Sequence, residues 1–134
     1  MSGFRKCTVG LLVVLGSLNT ARANEFEHIW SCTLLPGKTL DEARLAASGW
    51  LRAAQDMPGG EGLAVILRWP IAVPDSTERF EFVIRAPSLG AWGTFYDRYD
   101  PDSSVGKADE TFAQVASCSG STLWESIGVD GAKD

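Results

Sequence analysis

The sequence predicts an α+β fold of order β-α-β-β-α-β, a four-stranded antiparallel sheet with two helices on one face. Three observations predict it. Strand-like and helix-like periodicities alternate in that order along the chain. Cys32 and Cys118 fall at points that this topology makes neighbours, within reach of a disulfide. Pro70 and Pro74, which cannot donate to a ladder, fall on the strand that the topology puts at a sheet edge.

Each element follows from its residues. "EFEHIWSCTLL" is rich in aromatic and apolar residues and stops at Pro36-Gly37, so it reads as a strand. Alternation puts Phe26, His28, Trp30, Cys32 and Leu34 on one face, with Glu27, Ile29, Ser31, Thr33 and Leu35 on the other. "TLDEARLAASGWLRAAQDM" reads as a helix. Thr39 and Glu42 have the spacing of a capping box, Ala43, Ala46, Ala47, Trp50, Ala54 and Met57 form an apolar stripe, and Pro58-Gly59-Gly60 stops it. The small alanines predict that this helix lies close against the sheet.

"GLAVILRWPIAV" reads as a second strand and "RFEFVIRA" as a third, joined as a hairpin through "PDSTE". In the third strand Phe80, Phe82 and Ile84 share one face, and Glu81, Val83 and Arg85 the other. "PSLGAWGTFYDRYDP" opens a second helical region with Ser88 as N-cap; Pro101 breaks it, and "SVGKADETFAQVAS" resumes helical spacing. After Cys118 and Ser119-Gly120, "STLWESIGV" reads as the last strand and "DGAKD" as a polar tail. The arrangement is the ferredoxin-like one, with strands in the spatial order 4-1-3-2.

The N-terminal segment has a separate reading. Arg5 and Lys6, an apolar stretch from Thr8 to Leu18, and Ala21-Arg22-Ala23 have the three-part pattern of a secretory signal peptide, and the apolar stretch is short for a membrane span. Residues 1–23 are therefore expected to be a signal peptide and residues 24–134 a single exported domain, periplasmic or secreted. Losing three basic residues and no acidic one takes the net charge from −5 to −8. No cluster of Lys and Arg appears, which argues against nucleic acid as a partner.

Cys32 and Cys118 can be read as a staple, a nucleophile or part of a metal site. Export to an oxidising compartment favours the staple. A zinc site needs about four ligands, and the expected domain offers two distant cysteines and His28 with no CxxC, so no metal is predicted. P-loop, G-x-G-x-x-G, H-E-x-x-H and EF-hand patterns are absent from the sequence, and no cofactor is called for.

With "PGKTLDEARLAASGWLRAA" after the first strand and "APSLGAWGTFYDRY" after the third, the chain resembles the dimeric α/β-barrel superfamily, which includes antibiotic-biosynthesis monooxygenases and stress-response barrel proteins. The matching features are the Pro36-Gly37 turn before the first helix and an aromatic, Trp92, near the start of the second. The chain is also similar to short exported bacterial proteins without an assigned activity. The resemblance implies a homodimer whose two sheets close into a barrel, with a cleft between each sheet and its helices. Some relatives oxidise aromatic substrates without a metal; others degrade haem.

His28 is the one histidine, and so the one side chain that ordinarily titrates near neutrality. It shares a face with Trp30, and Trp92 and Tyr96 can cover that face from the second helical region. Read functionally, these four make a ligand pocket for a small aromatic molecule; read plainly, His28 is an idle residue at a strand end. The five tryptophans, Trp30, Trp50, Trp69, Trp92 and Trp124, either bind a planar ligand or fill the core, and Trp69 is the candidate for a dimer contact. Arg68, Glu81 and Arg85 either position an acidic substrate or form a polar sheet surface. Two functions remain open: a non-enzymatic exported protein that binds a small ligand or a protein partner, and a cofactor-independent monooxygenase-like enzyme.

Overall fold

The computed structural model describes residues 25–72 and 78–129. The expected signal peptide, Pro74 with the turn that follows it, and the C-terminal tail from residue 130 lie outside the described residues. The elements are β1 (Glu25–Leu34), α1 (Leu40–Gln55), β2 (Ala64–Arg68), β3 (Arg79–Ala86), α2 (Leu89–Asp97), α3 (Ser104–Ala113) and β4 (Ala116–Ser126). The strands form one antiparallel sheet in the order β2-β3-β1-β4, so β2 is an edge strand and the expected topology is the observed one.

Local sequence explains most boundaries. The α1 capping box forms as predicted: the Glu42 amide donates to Thr39 Oγ1 at 3.3 Å, and the Thr39 amide donates to Glu42 Oε2 at 2.8 Å. Ser88 caps α2 by accepting from the Ala91 amide. The second helical region is two helices, giving three among the described residues where two were expected. Asp100-Pro101 separates them, and Ser103 caps α3.

Three boundaries differ from the sequence reading. β2 ends at Arg68, where Pro70 two residues on offers no amide to continue a ladder. The helical spacing that carried Val115 and Ala116 into the last helix stops earlier. Ala116 pairs with Leu34, and the Val115 carbonyl accepts from the Leu35 amide. β4 thus begins before Cys118 rather than after it, and Cys32 and Cys118 are direct partners across β1 and β4. They form a disulfide, with Cα atoms 4.0 Å apart.

All three helices pack on one face of the sheet. Ala43, Ala47, Trp50 and Ala54 of α1 are buried there with Cys32, Leu34, Phe80, Phe82 and Ile84 of the sheet, and Phe95, Val105 and Phe112 complete the core. Removing these side chains from water is the main drive for the helix–sheet contact. The expected faces of β1 and β3 are the observed ones.

Among the described residues no helix lies on the other face of the sheet, yet Val83 at its centre is fully buried. Glu27, on the same face, keeps 7% of its side chain exposed and lies between Arg68 and Arg85. Arg85 Nε donates to Glu27 Oε1 at 2.8 Å, Arg68 donates to the second oxygen, and Arg68 also reaches Glu81 at 3.4 Å. Burial alone would raise the Glu27 carboxyl, but the bonds and charges of the two guanidiniums outweigh it and hold the carboxyl below its ordinary value. The polar-surface reading of Arg68, Glu81 and Arg85 is the one that fits, with Glu27 as a centre that the sequence reading missed.

Candidate functional site

A cavity of about 390 Å³ opens between the helices and the sheet. Its size is that of a small-molecule site, and its lining is predominantly aromatic and apolar. β1 supplies His28 and Trp30, which point to the helical side because they alternate with Glu27 and Ile29. α2 supplies Trp92, Phe95 and Tyr96, brought to one side of the helix by their spacing of three and four.

The four residues singled out in the sequence come together. The His28 ring centre is 4.9 Å from that of Trp30, 5.4 Å from Trp92 and 6.4 Å from Tyr96. Trp92 and Tyr96 stack with centres 4.9 Å apart and planes 13° apart, and both meet His28 edge-on. His28 is buried, and burial pushes its pKa below the ordinary value, so the ring is neutral at neutral pH. Tyr96, half exposed, forms the rim.

The far wall was not read from the sequence. Trp50 of α1, Tyr99 of the α2–α3 connection and Asp109 of α3 also line the cavity. The Trp50 indole N–H donates to Asp109 Oδ1 at 2.5 Å, and the Tyr99 hydroxyl donates to Oδ2. Burial, and then the bond to Asp109, push the Tyr99 hydroxyl up to about 12, so it is a donor. A signal for Asp109 existed: it lies four residues after Val105 and three before Phe112, on the buried face of α3. A carboxylate on an apolar stripe is a polar group with a task.

The remaining tryptophans have other places. Trp69 stacks on Phe80 with centres 5.7 Å apart, and Trp124 lies on the helix-free face, 58% exposed. Cys118 reaches the cavity wall as half of the disulfide. Among the described residues no group of three or more His, Cys, Asp and Glu could hold a metal ion, and no helix is long and apolar enough to cross a membrane.

No family model matches the chain, and no curated protein matches it in sequence. Solved structures do match it in shape. SnoaB, a cofactor-independent oxygenase from Streptomyces nogalater, superimposes with a TM-score of 0.54 at 10% identity, over 80% of this chain and 97% of its own. The fold is ferredoxin-like. A putative antibiotic biosynthesis monooxygenase from Chloroflexus aurantiacus J-10-fl matches with a TM-score of 0.46 at 13% identity, over 80% and 97% of the two chains. A dimeric ferredoxin-like protein of unknown function from Thermobifida fusca YX gives 0.46 at 11% identity, over 78% and 91%. At these identities the likeness is one of fold, as the sequence resemblance implied.

Proposed function

We propose that this is an exported protein that binds a small, planar aromatic ligand in the helix–sheet cavity. The observation that carries the reading is the cavity itself, where His28, Trp30, Trp92 and Tyr96 present ring surfaces around a space large enough for fused rings. Export rests on the signal-like residues 1–23, and the disulfide is consistent with it. The test is a native mass spectrum of protein recovered from the periplasm. A chain cut after Ala23, carrying the disulfide and a bound aromatic mass displaced by Trp92→Ala, supports the proposal. Full-length protein in the cytoplasm overturns export, and unimpaired ligand retention by Trp92→Ala overturns the site.

The helix-free sheet face supports pairing with a second copy, because it exposes Trp124 and carries the Glu27–arginine cluster. Sedimentation of wild-type protein as a dimer and of Trp124→Glu as a monomer is the expected outcome.

A second reading, a cofactor-independent oxygenase, is favoured by one observation. His28 is a neutral imidazole facing an apolar cavity, able to accept a proton from a bound hydroxyarene. Oxygen uptake with a hydroxyanthracene above the spontaneous rate, lost in His28→Ala, would select it; no uptake would leave the binding reading alone.

A further inference from the structure

We propose that the cavity selects organic cations, taking a planar aromatic whose protonated nitrogen pairs with Asp109. The inference rests on the cavity being a ligand site and goes on to name the charge of what it accepts.

Among the described residues Asp109 is the one carboxylate in the cavity wall, and none of their Lys or Arg side chains lines the cavity with it. Among the described residues it takes part in no ion pair. Its partners are the neutral Trp50 indole and the Tyr99 hydroxyl, one on each oxygen. Those bonds fix the orientation of the carboxylate without cancelling its charge. Each oxygen keeps a further lone pair for a donor.

A carboxylate withdrawn into apolar surroundings ordinarily finds a positive partner. Here the ligand supplies it. The aromatic walls act in the same direction, because the faces of Trp and Tyr rings attract cations and their low polarity strengthens the pull of Asp109. An anion meets the opposite: loss of water and a like charge at the wall. The Glu27 carboxylate is the contrast within the molecule, since two guanidiniums already satisfy it. Trp50 and Tyr99 are positioning residues in this scheme.

The test uses three probes with one ring system: 1-naphthylmethylamine, protonated at neutral pH, 1-naphthalenemethanol and 1-naphthoate. Each is titrated calorimetrically into the disulfide-bonded protein at low salt. The expected order is ammonium, then alcohol, then carboxylate, with the ammonium favoured over the alcohol by at least about threefold. In Asp109→Asn the ammonium loses its advantage over the alcohol. An ammonium preference under about threefold, or one that persists in Asp109→Asn, overturns the charge selection and leaves the cavity as a neutral aromatic site. Failure of all three probes to bind overturns the ligand site itself. Were Asp109→Asn to unfold, a wild-type ammonium preference under about threefold would still overturn the charge selection.

Discussion

Trp50 of α1 donates its indole N–H to the Asp109 carboxylate of α3, across 59 residues of chain. The bond ties together the two helices that make the most extensive helix–helix contact, and it sits in the cavity wall, so one interaction serves both packing and the site. Trp50→Phe removes the donor and part of a buried ring. It should lower unfolding free energy by about 1 to 3 kcal/mol. Chemical denaturation with an unchanged midpoint would show that the bond contributes nothing.

The disulfide closes a separation of 86 residues. On the chain-entropy view its loss destabilises by about 4 to 5 kcal/mol. Comparing denaturation midpoints of the oxidised protein and the Cys32→Ala/Cys118→Ala double variant checks this, and a difference below about 1 kcal/mol would put the stability in the core alone.

Glu27 gives the helix-free face an acid limit. Its folded pKa lies below the ordinary 4.5, so the stabilisation is complete above that value and is lost as pH falls through the folded one. Glu27→Gln should remove this acid-dependent part and cost about 1 to 3 kcal/mol at neutral pH, less than a fully buried pair because both arginines are more than a third exposed. A variant whose stability follows the same acid curve as wild type would contradict the assignment.

His28 works with the opposite charge but in the same direction on the pH axis. Its folded pKa is depressed, so the unfolded chain takes up the proton first, and stability declines as pH drops from 6.5 toward the folded value. In His28→Gln that slope should flatten. Thermal melts across this window that keep the wild-type slope would place the titrating group elsewhere.

Gly59 sets the approach of the α1–β2 turn to α2. Its φ is +84°, and a Cβ there would lie 2.6 Å from the Phe95 amide nitrogen and 2.8 Å from the Ala91 carbonyl oxygen. Gly59→Ala should therefore push α2 outward and destabilise by on the order of 2 kcal/mol. Loosening of Trp92 and Tyr96, read as weaker binding of 1-naphthalenemethanol, should accompany it. Unchanged stability and binding would mean that the turn yields freely.

Legibility followed the range of the interactions. The alternation of Phe26, His28 and Trp30, the Thr39–Glu42 cap and the approach of Trp92 and Tyr96 to His28 follow from periodicity, and so they were readable. The Cys32–Cys118 pairing followed from two cysteines in a chain expected to be exported, and it agreed with the topology. Glu27 was not readable as buried, because its partners arrive from β2 and β3 through strand order rather than sequence proximity. Tyr99 and Asp109 lie on different elements and meet only when α3 folds back over the sheet. The start of β4 was hidden because Ser119-Gly120 looks like a break.

It is not a break but a bulge. Ser31 faces Ser119 and Trp30 faces Ser121, leaving Gly120 unpaired at φ +64°. Before it, Cys118 points to the helical side; after it, Leu123 opposite His28 does, while Trp124 opposite Glu27 points away. One residue thus reverses the odd–even parity of the strand. Were Gly120 paired in register instead, with Cys118 still opposite Cys32, Trp124 would move from Glu27 to Phe26 and swing from the helix-free face to the helical side. One unpaired residue, with no chemistry of its own, thus keeps the largest side chain of β4 off the face that carries the cavity.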